Sequence, residues 1–277
     1  MGLCDNARTP HERRLHAAAK AGDVPELQNG LQEWRDDSAV SPPENSDFHL
    51  AAGVAVTNNQ PAALEYVLDQ GSSADNTLAR QAAGKKGNQC FDVLYAHGWR
   101  PESEPDGNAM PTIQMAIGNH EQLRWLLDHG ANANVPCART NDTPLSRAAK
   151  TNSVQTVDLL LQHSAVLKDS NALHAAASGG GPDEESLAMM QHLIDLGADI
   201  NALEVMHAKR SGHNIRVLGT ALHAAIRAGK PARVQWLLER GADGKIKNER
   251  GYSPLEWAAE CESSTDLVAI LRQAGCE

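Results

Sequence analysis

The sequence predicts an all-α fold of about eight stacked helix–turn–helix units, and three observations predict it. One pattern recurs along the chain: a small polar residue, an apolar residue two places on, an alanine-rich run, a turn, a leucine-rich run and a closing glycine. Helix-starting residues precede the first runs and glycines follow the second. Between those marks, apolar residues fall at helical spacing.

The units follow in order. Leu15-His16-Ala17-Ala18 opens the first. Three worn copies come next. One, 47–71, keeps Tyr66-Val67-Leu68; another, 77–98, keeps Gln81-Ala82-Ala83 and Val93-Leu94. The third, 110–134, keeps Pro111-Thr112-Ile113, Leu126-Leu127 and Gly130-Ala131-Asn132. The fifth unit is plain, with Thr143-Pro144-Leu145-Ser146-Arg147-Ala148-Ala149 before Leu159-Leu160-Leu161. The sixth pairs Asn171-Ala172-Leu173-His174-Ala175-Ala176 with Gly197-Ala198-Asp199. The seventh is clearest, Thr220-Ala221-Leu222-His223-Ala224-Ala225 before Gly241-Ala242-Asp243, and Ser253-Pro254-Leu255-Glu256-Trp257-Ala258-Ala259 opens the eighth.

Local chemistry supports each boundary. Thr143, Asn171, Thr220 and Ser253 are predicted N-caps, because a side-chain oxygen there accepts from an unpaired N–H of the first turn. Pro144 and Pro254 take the first helical position, where a missing N–H costs nothing. Ser253 and Glu256 have capping-box spacing. Gly71, Gly98, Gly130, Gly197 and Gly241 stand where a left-handed residue closes a second helix.

The motif Thr-Pro-Leu-His-x-Ala-Ala with its closing Gly-Ala-Asp resembles the ankyrin repeat, and the resemblance covers nearly the whole chain. It implies one solenoid domain over 1–277, with short loops or β-hairpin-like tips and with each unit stabilised by its neighbours. Within it, 1–10 is expected as a flexible tail, 11–36 as the first repeat, 37–46 as a linker and 47–277 as the remaining repeats. The key apolar positions near 145, 173, 222 and 255 show one long interval, 173 to 222. Part of the excess is Gly179-Gly180-Gly181-Pro182-Asp183; the rest is an enlarged loop at 202–219 carrying His207, Lys209, Arg210, His213 and Arg216.

Composition narrows the function. With 41% hydrophobic and 22% charged residues the chain belongs among ordinary folded proteins. No stretch approaches the ~20 apolar residues that span a bilayer. The start, Met1-Gly2-Leu3-Cys4-Asp5, lacks the basic and apolar regions of a secretory signal. Gly2 and Cys4 fit an acylation pattern, but Asn6 stands where Ser or Thr is usual. Five scattered cysteines without a CxxC pair point to free thiols in a reducing compartment, so an intracellular site, cytoplasmic or nuclear, is expected. A net charge of −10 argues against broad contact with nucleic acid.

No catalytic, cofactor or metal motif emerges. Gly179-Gly180-Gly181 leads into Pro182-Asp183-Glu184-Glu185, which would repel phosphate. His207 and His213 lack HExxH spacing. His16, His174 and His223 hold the repeat's own histidine position, where the resemblance implies a ring tying adjacent loops. His97, His129 and His163 end second helices, where a cation is favourable. Trp125, Trp236 and Trp257 are expected in the core, while Trp34 and Trp99 are candidates for exposed anchors.

Charge placement is the most informative feature. In ankyrin stacks the concave groove is lined by first-helix residues five and six places after the key leucine and by loop tips. Carried onto this chain, that selects Lys20, Asn58, Lys85, Asn119, Arg139, Lys150, Arg216 and Arg227 as partner-binding residues. Glu65, Asp69, Glu121, Asp128, Asp158, Asp195 and Glu239 fall on second helices instead. The expected function is a protein-binding module or adaptor holding a partner's acidic segment in a basic groove. The alternative is an enzyme or small-molecule-binding protein, for a small anionic ligand, with a Lys/Arg/Asn/His site in the same groove. Self-association through the worn third unit or the C-terminal edge is a third reading.

Overall fold

A computed structural model describes residues 9–101, 109–151, 153–206, 218–262 and 264–276. Among them are sixteen α-helices, one 3-10 turn (Ala116–Gly118) and no strand. In chain order the helices form eight pairs: α1 (Pro10–Ala21) and α2 (Val24–Asp36), α3 (Asn45–Thr57) and α4 (Pro61–Asp69), α5 (Asn76–Ala82) and α6 (Gln89–Ala96), α7 (Thr112–Met115) and α8 (His120–Asp128), α9 (Pro144–Lys150) and α10 (Val154–Gln162), α11 (Ala172–Ser178) and α12 (Asp183–Asp195), α13 (Ala221–Arg227) and α14 (Pro231–Glu239), α15 (Pro254–Glu260) and α16 (Thr265–Gln273).

The helices gather into two compact units. Unit 1 comprises Met1–Pro105 and Gly118–Ala131; unit 2 comprises Asp106–Ile117 and Asn132–Glu277. In unit 1, α1, α3 and α5 pack in sequence, as do α2, α4 and α6. In unit 2, α9, α11, α13 and α15 form one row, and α12, α14 and α16 another. Small residues allow the first-helix rows to close up: Ala19, Ala51, Ala52, Ala55 and Ala79 in unit 1, and Ala148, Ala176 and Ala225 in unit 2, are wholly buried. The second helices supply the bulk, with Leu27, Leu64, Phe91 and Leu94 in unit 1 and Val157, Leu193, Leu237 and Leu271 in unit 2 fully enclosed. Each such side chain contributes about 1.5–3 kcal/mol of transfer free energy.

The turn within a pair has a standard form. A left-handed residue stands at Gly22, Asn59 and Gly229 (φ 75°, 54° and 62°). The next N–H then reaches a carbonyl five residues back: Asp23 to Ala18, Gln60 to Ala55 and Lys230 to Ala225, at 3.0, 2.9 and 3.1 Å. The turns after α5 and α11 depart from this form, and each is completed by a buried side chain from a later helix. After α5, Gln122 accepts from the Gly84 N–H (2.7 Å) and donates to the carbonyls of Ala82 (3.2 Å) and Gly87 (2.9 Å). After α11, the wholly buried Arg233 donates to the carbonyls of Ala176 (3.1 Å), Ala177 (3.3 Å), Gly179 (2.7 Å) and Gly181 (2.7 Å). Its Nε meets Asp183 at 2.8 Å. The triple-glycine insertion is thus a set of carbonyls gathered around one guanidinium.

Several local expectations resolve differently. Ser253 and Glu256 do form the capping box. Asn171, expected as an N-cap, is left-handed (φ 61°) and makes no side-chain cap bond. Ser170 Oγ accepts from the Ala172 N–H instead (3.2 Å), while the Asn171 amide accepts from the N–H and donates to the carbonyl of Val205, both at 2.8 Å. Trp34 and Trp99 are not exposed anchors; each is 4% exposed. Their indole N–H groups find Ser41 O and Asn76 Oδ1, both at 2.9 Å, so each ring is drawn in with its polar edge satisfied. Trp236 and Trp257 are buried as expected. Trp125 is half-buried, stacked on Phe91 and His129. The tips are turns, such as the one where the Asn248 N–H reaches Tyr252 O at 2.9 Å and Asn248 Oδ1 accepts from the N–H groups of Arg250 and Tyr252.

Candidate partner-binding faces

The predicted residues divide between the two units. In unit 1, Lys20 is exposed in the last turn of α1 and Asn58 is the exposed C-cap of α3, its Nδ2 donating to Val54 O at 2.8 Å. Lys85 follows α5 and is half-buried. Asn119 belongs elsewhere than the sequence placed it: it is the N-cap of α8, accepting from the Gln122 N–H at 3.2 Å. Its Nδ2 donates to Lys85 O at 3.1 Å, so it fixes the backbone of the neighbouring lysine.

In unit 2, Lys150 ends α9 and is exposed, Arg227 ends α13 and is half-buried, and Arg139 is exposed in a loop tip. Arg216 lies outside the described residues, as do His207, Lys209, Arg210 and His213 of the enlarged loop. The base of that loop is fixed: the Glu204 N–H reaches Gly219 O at 2.8 Å, and Asn141 and Asn171 both donate to Val205 O at 2.8 Å.

Two of the motif histidines, His174 and His223, tie their pair to the next tip. His174 Nε2 lies 3.0 Å from Ala202 O, and His223 Nε2 lies 3.2 Å from Tyr252 O. A carbonyl only accepts, so Nε2 carries the proton and His223 Nδ1 accepts from the Thr220 N–H at 3.3 Å. Burial pushes the His223 pKa down, and the Arg227 charge adds to that, against the bond to Tyr252. A neutral ring is what this place holds. Burial likewise raises the Cys261 thiol pKa, while Arg227 acts to lower it.

Among the described residues, lysines without an ion pair stand at the first-helix ends and also in the tips, at Lys168 and Lys245. Lys20, Lys85 and Lys150 form no ion pair among the described residues. Three second-helix cations are engaged: Arg35 with Gln70, Arg240 over the Trp236 ring at 3.8 Å, and Arg233 as above. The exposed second-helix carboxylates Asp69 and Asp92 face His97 (3.8 Å) and the Trp125 indole N–H (2.9 Å) on adjacent helices. No group of three His, Cys, Asp or Glu that could hold a metal ion occurs among the described residues. A feature the sequence did not indicate is a cavity of about 460 Å³ in unit 2, rimmed by the exposed Leu196 and Leu203.

A family model described as ankyrin repeats (3 copies) matches residues 109–204 and 201–277. The chain belongs to the ankyrin-repeat family. Repeats of this family are typically protein–protein interaction modules. The chain is 31% identical over 155 residues to ankyrin repeat and SOCS box protein 6 of Homo sapiens, covering 53% of this chain and 34% of that protein. It is 23% identical over 257 residues to the putative ankyrin repeat protein FPV022 of fowlpox virus (strain NVSL), covering 74% of this chain and 43% of that one. The chain therefore spans about a third to two fifths of the length of these curated relatives. Among solved structures, the ankyrin repeat domain of Bcl-3 is similar at 20% identity and a TM-score of 0.51, covering 96% of this chain and 99% of that one. That likeness concerns the fold alone, and it covers 96% of the chain, whereas the family model matches only from residue 109 on. No helix among the described residues is long and apolar enough to cross a membrane.

Proposed function

We propose that this ankyrin-repeat chain is an adaptor that captures an acidic segment of a partner protein on its first-helix faces. The observation that carries the reading is the set of lysines without ion pairs at equivalent places: Lys20, Lys85 and Lys150 at or just beyond the ends of α1, α5 and α9. Arg227 and Arg139 add cationic charge on unit 2. In a chain of net charge −10, lysines without ion pairs at first-helix ends favour a complementary anionic ligand. Rim charges of this sort act mostly on association rate, so binding is salt-sensitive.

The test is affinity capture at low and high salt with the wild-type chain and a Lys150→Glu, Arg227→Glu double variant. A partner retained by the wild type at low salt and lost by the variant supports the assignment. Equal retention by both chains at low salt refutes it.

A further inference from the structure

The first helices of unit 1 leave a hollow where the motif of the first, sixth and seventh units places a ring. Gly22, Asn59 and Gly229 hold the same left-handed place in their turns. Six residues before each stand His16, Gly53 and His223. The two histidines are buried, at 7% and 3% exposure. At Gly53 there is no side chain at all, although it lies inside α3, where glycine is destabilising relative to alanine. A Cβ there would come within 3.1 Å of Gln81 Oε1, the mobile end of a side chain on α5.

The result is a cavity of about 350 Å³ between α3 and α5, lined by Leu50, Gly53, Val54, Thr57, Leu78 and Gln81 among others. Leu50 stands on it 51% exposed. No carboxylate lines it. Asp75, at the start of α5, is occupied by the N–H groups of Thr77 and Leu78 (2.9 and 3.0 Å) and faces His49 at 3.7 Å. By helix order, lysines stand on α1 and just beyond the end of α5. Lys20 holds on α1 the place that Thr57 holds on α3, two residues before the turn, and adjacent packed helices lie ~8–10 Å apart. Lys85 and Lys86 follow α5 on the other side, with the Lys85 carbonyl held by Asn119.

We propose that this hollow receives one bulky apolar side chain of a partner segment that is acidic on both sides of that residue. The inference rests on the reading of the first-helix faces given above and adds the anchor. An apolar floor supplies desolvation, while lysines on either side set the charge and fix the register of the segment.

The experiment is selection of a phage-displayed random peptide library on the full chain, followed by fluorescence anisotropy of enriched peptides. The expected peptides carry a Leu-, Met- or Phe-sized residue between Asp or Glu residues. Their affinity should fall about tenfold on Gly53→Leu, the worth of burying one such side chain. It should fall similarly when the anchor is changed to Ala, and Gly53→Leu should then cost nothing further. Gly53→Ala, which adds a single Cβ, should act in the same direction more weakly and keeps the test decisive should the Leu variant lose its circular dichroism. Acidic peptides without an anchor, unaffected by Gly53→Leu but weakened by Lys20→Glu with Lys85→Glu, would overturn the hollow and leave the basic faces standing. Enriched peptides without acidic residues, or none enriched, would overturn both.

Discussion

Replacing Arg233 by Met should destabilise unit 2 by about 3–5 kcal/mol, the usual consequence of removing one member of a buried charged network. Arg233 is fully enclosed and donates to four main-chain carbonyls and one carboxylate. The variant keeps the bulk of the side chain and removes every donor. Carbonyls shut off from water cost ~1–3 kcal/mol each when left unpaired, and the Ala176, Ala177 and Gly179 groups are the ones gathered on a single nitrogen. Asp183 contributes little to the loss, since its side chain is 45% exposed and water can take over its bond. Relief of the guanidinium's own desolvation offsets part of the sum and holds the net figure to that of a few bonds. Arg233→Lys should recover only a fraction, because one ammonium cannot span carbonyls from Ala176 to Gly181. Urea unfolding by circular dichroism gives the stability, and amide hydrogen exchange locates the change at 176–183. A Met variant within about 1 kcal/mol of wild type, with unchanged exchange there, would refute the assignment of Arg233 as the closure of α11.

Gln122→Leu in unit 1 removes the partners of Gly84, Ala82 and Gly87 and should cost about 2–3 kcal/mol, with faster amide exchange at 83–88 as the specific sign. Asn171→Ala loses both bonds to Val205 and places a Cβ-bearing residue without a compensating amide at φ 61°; a loss of ~2 kcal/mol is expected, of which Asn171→Gly should restore only the backbone part. Stability should also fall on mild acidification through His223. Its folded pKa is lowered, so the unfolded chain binds the proton first; the contribution is fully present above the unfolded value of about 6.5 and declines as pH falls below it. Denaturation midpoints across that range should fall less steeply for His223→Gln than for wild type.

Much of the fold was legible because the repeat is written in local chemistry. Ser253 and Glu256 form the box their spacing predicts, and Gly98 and Gly241 take the left-handed φ of 93° and 90° that their places require. What escaped depends on residues far apart in sequence. Nothing near Arg233 says that it closes a turn more than fifty residues earlier, and Gln122 reaches back in the same way. Asn171 has the chemistry of a cap, but a two-point bond to Val205 competes for its amide and wins. Trp34 lies in the last turn of α2 and Trp99 just after α6, and only the fold reveals that both turn inward. At the candidate faces, counting from the key residue lands on the last turn or C-cap of a first helix at Lys20, Asn58 and Lys150, whereas Asn119 is the N-cap of α8, because α7 is a single turn and the next helix begins early. The hollow at Gly53 was present in the sequence only as a missing histidine.

The most direct test of the account is the affinity of a captured acidic segment for the wild-type chain and for a Lys20→Glu, Lys85→Glu, Lys150→Glu variant, measured by titration calorimetry at low and at high salt. The account predicts binding at least about tenfold weaker for the variant at low salt, with the gap closing as salt screens the charges. Equal affinity of the two chains at low salt would contradict it.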